Sequence, residues 1–490
     1  FAGANQDVSR MASNFAGVQS TNDAVNDIVI RGNSAFGLLW RLEGVDIPNP
    51  NHFGDFGSTG GPVSMLNNNV LSNSEFYTGA FPAEYGNAYS GVFDLSMRNG
   101  NYDKHEFLGQ VGFNGFEIGA EGPISKKNRS SYLVNYRYST LGLLQNLGMS
   151  VGTGQAVPYY QDLTFKLNFP MKKGNLSVFG LGGRSNIDLL GSEIDTTDKE
   201  NLYGDNNLDI YNRNSVGAVG ATYKKLLSNG YFNITVAATG SATETTLDTV
   251  DFETREPYEF GYDNLTNTSI FTSIFYKHKF SAKSNMRTGF YARSISFDLL
   301  SQQKQEGGEY VNLIDDNGTT YLLQPYTEWQ YRFNEKLTLN TGIHVQYLTL
   351  NDQYSIEPRV GFKYEHNIRN TFSLGYGSHG KHLPVNVYFG KIETSENLYE
   401  EVNRNLDFIN AHHLVAGWDH SISEFTRIKT EVYGQYIQKA PVSNISSPVS
   451  LINYGMPPFS YPDSLENYVS EGDGFNIGIE ITLERFLNDG

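Results

Sequence analysis

The sequence has no cysteine, which excludes a disulfide framework and thiolate chemistry alike. It also lacks any run of about eighteen apolar residues, so no helix drawn from it can cross a membrane. A strand barrel stays open, because membrane strands alternate and average to mild polarity. In keeping with that, only 39% of residues are hydrophobic and mean hydropathy is −0.41. Positive charge is scarce: 36 Lys and Arg stand against 53 Asp and Glu, a net charge of −17. Nucleic acid is therefore not an expected partner, since phosphate binding needs a basic face. What is plentiful is Gly (50), Phe (31) and Tyr (32) in 490 residues, a length beyond one ordinary domain unless a large barrel absorbs it.

Residues 1 to 101 form one kind of text and 102 to 490 another. In the first, Asp7 stands where it would cap a short helix, and 27–31 (DIVIR) reads as a short strand, as do 38–45 and 92–97. The stretch from Pro48 to Pro62 holds Gly54, Gly57, Gly60 and Gly61 and reads as a loop. A compact α+β unit fits. From about Asp103 the pattern becomes repeated period-two alternation. Phe232, Ile234, Val236 and Ala238 oppose Asn233, Thr235 and Thr239. Ile343 and Val345 oppose His344 and Gln346, Ile428 and Val432 oppose Lys429 and Glu431, and Ile477 to Leu483 oppose Asn476, Glu480 and Thr482. The charged face cannot be a dry core, so it is expected to meet water.

The spacing predicts about sixteen strands, starting near 104, 116, 129, 159, 174, 213, 229, 263, 283, 319, 335, 354, 369, 411, 424 and 471. Tight turns such as 227–230 and 333–335 alternate with long connections over 139–158, 186–212, 244–262, 300–318, 382–410 and 439–470. Short turns on one rim and long polar loops on the other are the pattern of an antiparallel outer-membrane barrel. A soluble propeller or β-solenoid is the rival, but it would show a fixed repeat and even loops.

Catalytic signals are thin. The pair His379 and His382 has metal-like spacing but no carboxylate or cysteine joins it locally. His412 and His413 alternate across a strand and cannot face one ligand. The 180–183 segment (GLGG) lies in a strand rather than before a helix, which disfavours a phosphate cradle. No enzyme, cofactor or metal site is expected.

Several ordered motifs carry a resemblance. The 30–32 segment (IRG), the 42–47 segment (LEGVDI) and the long 79–95 segment (GAFPAEYGNAYSGVFDL) resemble the plug of TonB-dependent outer-membrane receptors, particularly those of Bacteroidetes-type bacteria. The 357–361 (EPRVG) and 478–483 (GIEITL) segments resemble strand elements of the same barrels. The resemblance implies an all-β transmembrane barrel of about 22 strands with the α+β plug in its lumen. About sixteen strands predict that this is a piece of a longer chain, its plug N-terminus and last strands lying elsewhere. It implies a receptor in the bacterial outer membrane, in contact with lipid and lipopolysaccharide, driven by the periplasmic energy-transducing protein TonB; a surface lipoprotein partner stays open. Import of a scarce or large ligand by plug movement is the leading expectation. A non-transporting structural or binding component with the same fold is the alternative, and an open diffusion porin is disfavoured by the plug.

The resemblance also implies site residues. Arg31 on a plug turn, with Gly32 permitting tight backbone geometry, is expected to pair with Glu431 or Glu480 across the lumen. Relatives often carry a second plug arginine where this chain has Thr78, so a single ion pair is expected. The loop bearing His52, Phe53, Asp55 and Phe56 resembles a plug apex facing the outer vestibule. Tyr159 and Tyr160 stand where a long loop re-enters the barrel; ligand stacking and an interfacial aromatic girdle account for them equally. The ligand class, whether iron chelate, cobalamin, glycan or peptide, is not legible.

Overall fold

The computed structural model describes residues 7–20, 25–112, 115–140, 157–193, 206–305, 308–395, 398–447, 450–453 and 466–486. Sixteen strands, from Glu106–Gly112 to Tyr468–Arg485, form one antiparallel sheet in which chain neighbours pair throughout. The hairpin Lys391–Ser395 with Leu398–Glu401 stands outside that order. Alternation explains the wall. Ile343, Leu374, Leu414, Val432 and Ile477 expose 39%, 48%, 54%, 50% and 76% of their surface outward, whereas His344, Gln346 and Glu357 point inward and are fully buried. This is the transmembrane-barrel pattern, apolar outward and polar inward.

The strands begin close to their expected positions, with one systematic difference. The regions expected as loops at 244–262 and 300–318 are largely strand: Gly230–Val250, Pro257–Lys279, Ser284–Lys304 and Tyr310–Arg332 run 21, 23, 21 and 23 residues. Spanning a bilayer takes only about 9–11 residues. In the upper parts of these strands the outer face turns polar (Glu244, Asn264, Asp298 and Asn317 are exposed) while the inner face mixes Thr243 and Asp263 with Leu247, Leu299 and Ile314, so the apolar-out, polar-in contrast that marks a membrane strand disappears there. One rim carries turns at 126–129, 172–173, 228–229, 280–283, 333–336, 368–369 and 424–425. The other carries the longer connections, together with short ones at 251–256 and 349–352. Parts of the expected loops 139–158, 186–212 and 439–470 lie outside the described residues.

Inside the sheet sits the N-terminal unit. Asp7 caps the helix Val8–Ala12, its Oδ1 accepting from the Ser9 and Arg10 amides at 2.8 and 3.2 Å. A mixed four-stranded sheet orders Val45–Asp46, Leu38–Leu42, Gly91–Leu95 and Glu75–Tyr77, and two small hairpins pair Val18–Ser20 with Ile28–Ile30 and Asn51–His52 with Val63–Ser64. Its core is a stack of Trp40 on Phe93 at 4.5 Å and Phe76 on Phe93 at 4.3 Å. The inward wall positions therefore meet protein as well as water. His344 and Gln346, expected to be wetted, are covered by the plug and by neighbouring wall side chains.

Candidate functional site: the plug–wall junction and the outer vestibule

Two turns thrust charged side chains from the plug into the wall. In the first, Ile30 bridges Asn33, so Arg31 and Gly32 are a two-residue turn with φ of 53° and 79°. In the second, Leu42 pairs with Val45, and Glu43 and Gly44 turn with φ of 52° and 82°. Left-handed backbone at both central residues is the signature of the tight hairpin turn that matches strand twist. Arg31 Nη2 lies 2.7 Å from Glu480 and 2.9 Å from Glu431. Arg31 Nε donates to Glu480 at 2.8 Å, so the contact to Glu480 is bidentate. The guanidinium also covers the Tyr433 ring at 4.6 Å. Burial opposes the charge on Arg31, but Glu480 and Glu431 outweigh it and hold its pKa above the ordinary value. From the second turn Glu43 takes Lys166 Nζ at 2.9 Å.

The junction holds more than the single ion pair expected from sequence. Glu84 of the plug pairs with Arg287 of the wall, and Arg98 pairs with Glu121 at 2.7 Å. Asn33 donates to Gln435 at 2.6 Å, the Ala83 amide donates to Glu328 at 2.9 Å, and Arg359 donates to the carbonyls of Phe81 and Pro82. These partners lie on strands all round the sheet. Sequence gave no pairing for them, because the wall partner of a plug residue depends on how the plug is rotated in the lumen. A polar junction of this kind costs little to re-wet compared with an apolar one, since each group can exchange its partner for water.

The expected ligand-binding residues fall into two groups. His52, Phe53 and Tyr160 come together: His52 packs on Tyr160 at 5.0 Å and Phe53 meets Tyr160 edge-on at 6.1 Å. His52 Nε2 is 3.0 Å from Asp162, which also takes Arg137 at 2.6 Å. The geometry is that of an ion pair, but burial lowers the His52 pKa, against the pull of Asp162. We therefore read a neutral imidazole donating its Nε2 proton, with Arg137 balancing Asp162. Tyr159 is half-buried on the opposite face of its strand from Tyr160. Asp55 and Phe56 face elsewhere, lining a cavity of about 140 Å³ under the outer vestibule. All but Asp55 and Tyr159 are buried.

The vestibule itself is filled. Residues 382–390 and 402–408 turn inward, and their Leu383, Val387, Tyr388 and Phe408 are at most 2% exposed. They pack in one cluster with Phe36, Phe56 and Tyr89 of the plug and with Ile295, Leu299 and Leu322 of the wall. His379 and His413 meet ring to ring at 4.7 Å with Phe81 against His379 at 3.9 Å; this convergence is with His413, not with the His382 that spacing suggested. Among the described residues no group of three or more metal-ligating side chains forms.

Neither a family profile nor a curated protein sequence matches the chain. Solved structures do. The siderophore receptor PirA of Acinetobacter baumannii aligns over 98% of this chain and 76% of its own, at 12% identity and a TM-score of 0.68. A variant of the ferric enterobactin receptor PfeA of Pseudomonas aeruginosa aligns over 100% and 76%, at 14% identity and 0.68. The outer membrane transporter YddB of Escherichia coli aligns over 91% and 69%, at 12% identity and 0.63. The chain thus has the fold of outer-membrane receptor barrels with an internal plug.

Proposed function

We propose that the chain is a TonB-dependent receptor of the bacterial outer membrane, of the Bacteroidetes type, which imports a scarce or large ligand when a periplasmic pull moves the plug. In this reading residues 1–101 are the plug and 102–490 the barrel. The observation that carries it is the character of the junction. Apolar clusters also join plug and wall, through Phe36, Phe53 and Met65 among others, but the junction is set apart by ion pairs from Arg31, Glu43, Glu84 and Arg98. Such a contact is replaceable by water. The likeness to a siderophore receptor and to an outer membrane transporter supports the same reading at the level of fold. TonB is the expected partner on the periplasmic side, lipopolysaccharide and lipid surround the wall, and a surface lipoprotein is a further candidate partner.

The filled vestibule favours a second reading, a non-transporting component of an outer-membrane complex. One comparison separates the two. Cells with the chain, without it, and without the energy-transducing complex are grown in the same labelled medium, and solute depletion is followed. Import predicts that some solute is depleted only when both are present. A solute set that is identical in all three strains would leave the structural role standing and end the transport reading.

A further inference from the structure

The charge of the wall is polarised along its axis. In the strands from Leu208–Leu227 to Leu337–Leu348, the rim with the longer connections carries Glu244, Asp248, Glu259, Asp298 and Asp315. The short-turn rim carries Lys225, Lys277, Lys279, Lys283, Arg332 and Lys336, all exposed. Over 216–241, 264–297 and 329–343 a single acidic residue, Glu335, accompanies them. Glu365 comes alongside Lys336 from the next strand, but Lys363 holds its carboxylate at 2.8 Å. Glu328 turns to the lumen, where it takes the Ala83 amide. An excess of one sign on so short an arc repels itself unless anions lie beside it. Next to these cations, on the outer face, lies a groove of about 630 Å³. Phe280, Trp329 and Ile343 stand along it, and Ser284, Thr327 and Thr341 line it between them. Thr341 Oγ1 donates to the Arg359 carbonyl at 3.1 Å, and Thr327 shares a hydrogen bond with Thr288 at 2.9 Å. Both hydroxyls are thus spent on the wall, and the groove is left apolar. Trp329 Nε1 donates to Ser284 Oγ at 2.9 Å and fixes the indole at the groove. Tyr331 and Phe333 continue from Trp329 toward the rim, ring against ring at 5.3 and 5.0 Å. Such aromatic belts mark the depth of lipid headgroups. Lys283 Nζ donates to the Phe333 carbonyl at 3.4 Å, which puts a cation at that depth and at the rim end of the groove.

We propose that this groove and the cations at its rim end are the seat of an anionic phospholipid of the inner leaflet. One acyl chain lies against Trp329 and Ile343, and the phosphate meets Lys283, with Lys279 and Arg332 beside it. The choice of leaflet rests on the receptor reading above, in which the short-turn rim faces the periplasm. Only such a lipid answers both features. A neutral lipid leaves the cations unmatched, and a soluble polyanion such as the cell wall leaves the groove unfilled.

The test reads tryptophan quenching in the full chain, held in symmetric vesicles of phosphatidylcholine. The quencher is phosphatidylglycerol brominated on its acyl chains, with phosphatidylcholine brominated likewise as the neutral control. Two variants divide the reporters. Trp418→Phe leaves Trp329, and Trp329→Phe leaves Trp418, an exposed residue of a strand where Asp419 and Glu484 neutralise Arg427. Trp40, buried in the plug, stays in both as a constant background. At Trp329, half-maximal quenching is expected at an about fivefold lower mole fraction of the brominated phosphatidylglycerol than of the phosphatidylcholine. At Trp418 the two fractions should be equal. Lys279→Gln, Lys283→Gln and Arg332→Gln together should bring the ratio at Trp329 to one; Lys283→Gln alone, the milder variant should assembly fail, should lower it. Thr341→Leu, which fills the groove, should remove the preference with every cation in place. Equal quenching of Trp329 by the two lipids overturns the proposal, as does a preference that survives loss of the cations or that Trp418 shares. Binding to isolated peptidoglycan that depends on the same cations, with no lipid preference at Trp329, would assign the arc to the cell wall and overturn the lipid seat. Symmetric vesicles make the readout independent of topology and of energy coupling. A preference at Trp329 in a chain that depletes no solute in cells would overturn import and keep this seat, whereas import without the preference would overturn the seat alone.

Discussion

Arg31 is held by its backbone as much as by its partners. Its left-handed φ of 53° aims the side chain away from the plug, where Glu480 and Glu431 receive it at 1%, 8% and 18% side-chain exposure for the three groups. Breaking a fully buried pair costs about 3–5 kcal/mol and an exposed one about 0–1. Glu431 is the wetter partner, and Lys429 holds its other oxygen at 3.1 Å. We expect Arg31→Gln to fall between these limits. Hydrogen exchange should quicken at the Arg31 amide, which donates to the Gly17 carbonyl at 2.7 Å, while exchange in the barrel strands stays unchanged. Equal quickening in both would mean that the plug is not a separable unit. Asp27 gives a second prediction at this scale. It is 5% exposed, lies so close to Gly60 that a Cβ there would sit 1.7 Å from its Oδ1, and is pushed up from 3.8 to about 6 by burial. The folded plug thus binds this proton more tightly than the unfolded chain. The stabilisation is complete below about pH 4 and is lost as pH rises through about 6. The whole effect is at most about 3 kcal/mol. Followed by the fluorescence of Trp40, with Trp329 and Trp418 replaced by Phe, the plug should withstand more denaturant at pH 5 than at pH 7.5. Asp27→Asn should remove much of that difference. A plug more resistant at pH 7.5 would reverse the sign and refute the assignment.

At the scale of elements, the readable signal was hydrophobic contrast, and its limits follow where contrast ends. Strands whose outer face meets lipid, such as Leu337–Leu348 and Thr426–Ser443, announced themselves by alternation. The tops of Gly230–Val250 and Tyr310–Arg332, where polar residues such as Glu244 and Asn317 face outward, read as loops. The turn residue Gly32 was visible, but Gly44 was read inside a strand over 38–45 that in fact breaks at 43–44, and the left-handed Arg31, Glu43, Phe53 and Ala80 were not legible, since only the folded plug imposes that geometry on residues with a Cβ. All four touch the wall, through Glu480, Lys166, Ser185 and His413. The inward turn of residues 382–390 and 402–408 is set by contacts far apart in sequence, and the composition of this connection alone resembles any long loop. The two rims make a direct prediction. Phe252, 86% exposed between two long strands, and Ile368, 99% exposed in a tight turn, stand on opposite rims. Because the chain has no cysteine, Phe252→Cys and Ile368→Cys can each be labelled without background. A membrane-impermeant maleimide on intact cells should reach position 252 and reach 368 only after the outer membrane is opened. Labelling at 368 alone would invert the topology.

Across the whole molecule, one body fills another. The barrel was legible as a pattern and the plug as a set of motifs, but their mutual fit, with polar contacts spread round the wall in the manner of a key with many weak teeth, had no sequence signature of its own.

 The contacts given above, from Arg31 at one strand to Arg98 at another, are individually modest and sum only when the plug is seated. Movement of the plug is therefore the central claim, and the structure offers a way to forbid it. A Cβ built on Gly375 of the wall would lie 3.3 Å from the Ala80 Cβ of the plug, near the roughly 3.5–4.5 Å separation that a disulfide requires. Ala80→Cys with Gly375→Cys, in a chain with no other cysteine, should form one cross-link from plug to barrel. The measurement is depletion of the solute identified by the strain comparison, in cells carrying this double variant, first oxidised and then reduced with dithiothreitol. The account predicts that uptake stops in the oxidised state and returns on reduction, with each single variant active under both conditions. Undiminished uptake through a fully cross-linked chain would contradict it.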